Sequence, residues 1–153
     1  MQGEVTVHMN APVERVWDLV SDVTRIGEFS PETFEAEWVE GASGPAVGAK
    51  FKGHVKRNQK GPTYWTTCKV TEATPDDAFE FAVVMGDRTV STWGYRLQAA
   101  NGGTDVTEYF RLAENIGTRI YWALLGRLRG RTNENGMRTT LERIKSVAER
   151  QNS

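Results

Sequence analysis

The chain has 153 residues, with 19 Lys and Arg against 20 Asp and Glu and a formal charge of −1. That length suits one domain with a single core, expected over 1–153, and the near-neutral balance argues against a protein built to neutralise nucleic-acid phosphates. Two histidines and one cysteine leave no metal-ligand cluster, no internal disulfide and no implied cofactor.

The amino terminus has neither a basic segment followed by an apolar one nor a small-residue cleavage site. No run approaches ~18 apolar residues either, so a soluble cytoplasmic protein is expected. Glu4 to Met9 alternates Val5, Val7 and Met9 with Glu4, Thr6 and His8, the pattern of a half-buried strand. A helix follows at once. Pro12 suits its first turn, Glu14 favours the positive end of its dipole, and Val13, Val16, Trp17 and Val20 recur at i, i+3, i+4 and i+7 to give one apolar stripe. Asp22 can cap a second short helix over 23–29, stopped at Ser30-Pro31 because a residue before proline is pushed out of the helical region.

From Thr33 to Leu112 the chain is punctuated by turn sequences, including Lys60-Gly61-Pro62, Thr74-Pro75-Asp76-Asp77, Gly86-Asp87 and Asn101-Gly102-Gly103. The segments between them read as six more strands, over 33–39, 50–58, 64–73, 78–85, 88–99 and 104–112, antiparallel because the connections are short. After Asn115 the period becomes helical. Ile120, Tyr121, Leu124, Leu125 and Leu128 make one stripe, and Met137, Leu141, Ile144 and Ala148 a second. Glycines at 126, 130 and 136 weaken the middle, so one long terminal helix is expected, with a bend or break near Gly130.

Alternation places Phe79, Phe81, Val83 and Met85, then Trp93, Tyr95 and Leu97, then Val106, Phe110 and Leu112 on the inner face of this sheet. A twisted sheet curling around one helix keeps either a packed aromatic core or an apolar hollow that takes a small ligand. Cys68 lies on an alternating strand and reads as a buried, unreactive thiol. Trp17 reads as packing from the first helix.

Four stretches taken together resemble a known family. They are Asn10-Ala-Pro-Val-Glu-Arg-Val-Trp17, Asp22 to Glu32, Val70-Thr-Glu-Ala-Thr-Pro-Asp-Asp-Ala-Phe-Glu-Phe81, and Thr92-Trp-Gly-Tyr-Arg-Leu97 with Gly103-Thr-Asp-Val-Thr-Glu108. Their order and spacing resemble the START-like SRPBCC superfamily, and within it the polyketide cyclase/dehydrase and lipid-transport family. The resemblance implies an α+β helix-grip fold. In that fold a seven-stranded curved antiparallel sheet wraps a long carboxy-terminal helix, two short helices join strands 1 and 2, and a mostly apolar cavity is enclosed. Fold alone leaves function open, since the superfamily includes lipid carriers, aromatase/cyclases and hormone receptors.

With a cavity in place, Phe51, Phe79, Phe81, Val83, Trp93, Tyr95, Phe110, Tyr121, Leu125, Met137 and Leu141 are the candidate ligand contacts. Glu108 shares the parity of Val106, Phe110 and Leu112, so an unbulged strand points it inward. Desolvation would then raise its pKa and suit it to acid or base work, unless it pairs with an arginine such as Arg138. Tyr95 and Tyr121 could orient a ligand oxygen. His54 and His8 have outward parity and are not candidate bases. No serine-nucleophile elbow and no phosphate-binding Gly-Lys-Ser/Thr occurs; Gly44 to Lys50 reads as a turn. Arg119, Arg127, Arg129 and Arg131, beside Trp122 and two leucines, could touch an anionic membrane surface transiently, although a solvated rim is the commoner meaning. The leading expectation is binding or carriage of a hydrophobic small molecule. An aromatase/cyclase or dehydratase, and an interaction module with a filled core, are the alternatives.

Overall fold

A computed structural model describes residues 2–56 and 62–113, and helical backbone over 116–150 with side chains from 133 onward. Strand β1 (Gln2–Met9) leads into helix α1 (Val13–Ser21), a 3₁₀ turn (Val23–Arg25) and helix α2 (Ile26–Phe29). Pro12 is the extended residue before α1, and its carbonyl accepts from the amides of Arg15 and Val16 at 3.1 and 3.2 Å. The Asp22 carboxylate accepts from the Thr24 amide at 3.0 Å and starts the 3₁₀ turn, an arrangement that satisfies an otherwise orphaned donor.

Strands β2 (Thr33–Val39), β3 (Lys50–Val55), β4 (Tyr64–Thr74), β5 (Ala78–Met85), β6 (Arg88–Ala100) and β7 (Gly103–Leu112) follow, then helix α3 (Ile116–Arg150). They form a seven-stranded sheet in the order β1-β7-β6-β5-β4-β3-β2, antiparallel at every pairing. Two-residue hairpins join Met85 to Arg88 and Ala100 to Gly103. Asn101 and Gly102 both take positive φ (51° and 77°), as a type I′ turn requires. The third strand was expected to reach Asn58; it ends at Val55, Lys56 is outside the strand, and residues 57 and 58 fall outside the described residues. The break expected near Gly130 does not occur, because α3 is continuous.

The two halves of the sheet differ. The β1–β7 and β6–β7 pairings run in uninterrupted register, whereas the register shifts between Thr33 and Glu35, between Val70 and Glu72, and between Val83 and Val84. Each shift is a bulge that bends its strand and deepens the twist. The regular half holds α3, which packs on β1, β7, α1 and α2. Met137, Leu141, Ile144 and Ala148 are the buried face of α3, opposite Val16, Trp17 and Val20 of α1 and Val5, Val7 and Met9 of β1. At its carboxy-terminal end the Arg15 guanidinium donates to the Ala148 carbonyl at 3.2 Å, and the Asn10 amide donates to the Glu149 carboxylate at 2.9 Å.

Helix α2 lies against β2 at Gly27, where a Cβ would sit 2.0 Å from the Phe34 carbonyl oxygen. Alanine for glycine in a helix ordinarily stabilises by about 1 kcal/mol. Here the sign reverses. Gly27→Ala is expected to cost about 1–3 kcal/mol in urea denaturation because the backbone must move apart, while Gly44→Ala, with nothing within 4 Å, changes stability by less than about 0.5 kcal/mol.

Candidate functional site

Where the bulged strands leave the helices, a cavity of about 1350 Å³ opens inside the domain. Its roof is helical: Leu19 and Val20 of α1, Ile26 and Phe29 of α2, and Asn133, Gly136, Met137, Thr140 and Ile144 of α3. Its wall is the concave sheet face, with Phe51, Cys68, Phe81, Val83, Ser91, Trp93, Tyr95 and Glu108. Tyr64, Trp65, Met85 and Val90 also border it, and all four are exposed. They mark the mouth, at the end of the sheet where β5 turns into β6.

The wall is held in shape by ring contacts. Phe51 meets Phe81 edge-on with centroids 5.0 Å apart and Trp38 at 5.7 Å, and Trp93 stacks on Phe110 at 5.2 Å. Seven of the sequence-predicted residues, Phe51, Phe81, Val83, Trp93, Tyr95, Met137 and Glu108, are brought to this one cavity. Phe79, Phe110 and Leu141 have inward parity but sit in the packed core: Phe79 closes edge-on against Trp17 at 6.3 Å, Phe110 backs Trp93, and Leu141 is fully buried on α3. Tyr121 and Leu125, with Arg119, Arg127, Arg129 and Arg131, lie outside the residues whose side chains are described. Met85, expected to face inward, borders the cavity and is 72% exposed because it stands at the mouth, where β5 turns into β6.

Among the described residues, Glu108 is the buried carboxyl of the cavity lining. Tyr95 and Glu108 are directly opposed across the unbulged β6–β7 pair, which delivers both side chains to the same face. Glu108 is buried, and desolvation raises its pKa well above the ordinary carboxylate range against a smaller opposing effect of its hydrogen bond with Tyr95. The Tyr95 hydroxyl is pushed up in turn, by burial first and then by the Glu108 charge. The anticipated ion pair with Arg138 is absent. Arg138 is exposed, and no cation contributes to the shift at Glu108.

The neighbouring hydroxyls are already engaged. Thr140 donates to the Gly136 carbonyl at 2.8 Å, Ser91 accepts from the Trp93 indole at 3.2 Å, and Thr66 donates to the Gly53 carbonyl at 3.3 Å. Among the described residues, the buried side-chain atoms left without a partner are Oε2 of Glu108 and Oδ1 of Asn133. Asn133 was missed in the sequence, although it stands four residues before Met137 on the buried stripe of α3, and a polar residue on such a stripe was the available signal. Cys68 is buried, and desolvation pushes its thiol up to about 12, so it is inert at neutral pH. His54 and His8 lie on the outer face, paired with Glu35 and Asp105, each at 2.7 Å. No metal-binding group of His, Cys, Asp or Glu is found among the described residues.

A curved antiparallel sheet gripping a carboxy-terminal helix around an apolar cavity defines a helix-grip protein of the hydrophobic-ligand-binding class. Several solved structures share it. The di-domain ARO/CYC StfQ from the steffimycin biosynthetic pathway superposes with a TM-score of 0.76 at 13% identity, over 98% of this chain and 51% of that one. TTHA0849 from Thermus thermophilus gives 0.74 at 14% identity, over the whole of both chains. The Polyketide-cyc-like protein Cgl2372 from Corynebacterium glutamicum is 30% identical over 97% of this chain and 85% of its own, with a TM-score of 0.53. The chain belongs to the polyketide cyclase/dehydrase and lipid-transport family, whose pattern matches residues 2–149. No curated protein matches it.

Burial of Glu108 has a thermodynamic consequence. The folded chain keeps this proton to a higher pH than the unfolded chain does, so the stability it contributes is complete below the ordinary carboxyl range and is lost as pH rises through the folded value. Glu108→Gln therefore stabilises at pH 8 and hardly at all near pH 4. Thermal melts at the two pH values should separate from wild type by about 2–4 °C for each kcal/mol recovered.

Proposed function

We propose that the protein binds and carries a hydrophobic small molecule, such as a lipid, an acyl chain or a polyketide-like compound, in this cavity. The observation that carries the reading is the hollow of about 1350 Å³ between aromatic wall and helical roof, where a packed core would have left none. Affinity comes from burying ligand surface, at roughly 25 cal/mol per Å² before ordering costs. The residues assigned to contact it are Phe51, Phe81, Val83, Trp93, Tyr95 and Met137. The exposed apolar rim of Tyr64, Trp65, Met85 and Val90 supports loading from, or release to, a membrane surface. No described helix is long and apolar enough to cross a membrane, and the compartment assigned to the carrier is the cytoplasm. Native mass spectrometry of the purified chain is expected to reveal a co-purifying small molecule that leaves on denaturation. A chain that stays empty and also fails to bind any member of a broad lipid panel refutes the proposal.

A second reading is favoured by one feature, the buried carboxyl of Glu108 beside the Tyr95 hydroxyl. A carboxyl held protonated against an apolar wall can donate to a substrate carbonyl and take back a proton from the adjacent carbon. Enolisation of a bound polyketone requires that pair of steps, and dehydration adds delivery of the abstracted proton to the β-hydroxyl, which leaves as water. On this reading Glu108→Gln leaves polyketone binding within about twofold of wild type and lowers turnover at least about 100-fold. Equal turnover in the two proteins excludes the enzymatic role of Glu108 and leaves carriage standing.

A further inference from the structure

The cavity polar groups divide into those with partners and those without. Thr140, Ser91 and Thr66 spend their hydroxyls on neighbouring protein atoms. Glu108, apart from its hydrogen bond with Tyr95, and Asn133 are not fully engaged: each is more than nine-tenths buried, each lines the same cavity, and each keeps one oxygen unmatched, Oε2 and Oδ1 respectively. One comes from the sheet and the other from the roof. Buried polar atoms without partners cost about 1–3 kcal/mol apiece, so the pair selects a ligand that supplies what each lacks.

We infer that the cavity takes an otherwise apolar ligand bearing a neutral hydroxyl, an alcohol, phenol or enol, which Glu108 and Asn133 engage together. The inference rests on the binding role proposed above and adds the chemistry of the ligand's polar end. A hydroxyl both donates and accepts. It can give its proton to Asn133 Oδ1 and receive one from the Glu108 carboxyl, whose protonated form desolvation favours. A ketone only accepts and leaves Asn133 unmatched. A carboxylate brings an anion to a site where desolvation already disfavours one, and the described cation of the lining, Lys50, is committed to Glu40 at 3.3 Å. An ammonium would require two desolvated charges in place of none.

The test titrates the purified chain with 1-decanol, 2-decanone, decanoate and decylammonium by isothermal calorimetry. Nile red fluorescence serves as an apolar reporter that depends on the hollow alone. Decanol should bind about tenfold more tightly than the ketone or either ion. Glu108→Leu and Asn133→Leu should each bring the decanol-to-decanone affinity ratio to about one while still taking up Nile red, which shows the hollow to be intact, and Glu108→Gln, which keeps a donor and an acceptor, should retain most of the preference. Unchanged Nile red binding with no preference for decanol, with tighter binding of an ion, or with a preference that survives both leucine variants overturns this inference and spares the carrier. Failure of Nile red and all four alkyl compounds to bind removes the carrier reading, and this inference with it.

Discussion

The governing constraint is that α3 can lie flat against only one side of a sheet whose other side curls. The β1–β7–β6 region pairs in unbroken register over most of its length and supplies the surface against which α3 is pinned. The bulges in the β2–β3, β4–β5 and β5–β6 pairings turn the remaining strands away from that surface. Space between a curved wall and a continuous helix follows from geometry, and large side chains narrow it without closing it. The hollow is therefore a product of where the bulges fall, with the aromatic rings setting its lining.

The same register divides two carboxylates into opposite chemical states. On the outer face, burial works to raise the Glu80 carboxyl, but hydrogen bonds from Tyr109 and Thr71 and the charges of Arg111 and Arg96 outweigh it and hold the pKa below the ordinary value. Gly94 makes room for that network, since a Cβ there would fall 2.5 Å from the Tyr109 hydroxyl. One residue along β7 from Tyr109, Glu108 points the other way, where Tyr95 is its described partner and desolvation dominates. Alternation on a single strand thus supplies an anchored anion outside and a protonatable acid inside.

Most of the framework was legible because turn chemistry and alternation are local. The limits of β2 and β5 coincide with their expected ranges, and the Asn101-Gly102 hairpin follows from two residues that tolerate positive φ. Glu108 was readable for the same reason, since no bulge intervenes between it and Phe110. What escaped was non-local. That Met85 stands at an open mouth depends on where the helices end above β5 and β6. Alternation likewise cannot tell Phe79 and Phe110, packed behind the wall against Trp17 and Trp93, from Phe81, which faces the hollow. Parity gives the side of a sheet on which a residue lies; whether space lies in front of it is decided by elements distant in the chain. Asn133 shows the converse, a polar residue whose place on the buried stripe of α3 carries meaning only once the opposite wall is known to stand clear.

Wall and roof together carry two unmatched oxygens at places where a leucine or valine would pack without that cost. Stability alone would favour the apolar replacement, because a desolvated carboxyl with one free oxygen lowers stability at every pH above the ordinary carboxyl range. The surrounding network shows that the fold is capable of satisfying polar groups, as it does for Glu80, Thr140 and Ser91. Among the described residues, the unmet atoms are confined to the cavity. A cost concentrated where space has also been kept open is offset when a ligand enters, since binding then replaces two missing hydrogen bonds as well as burying apolar surface. On the hydroxyl-ligand proposal, that coupling makes such a guest stabilise the folded chain by more than its buried area predicts, and it ties the selectivity of the cavity to its two unmatched oxygens.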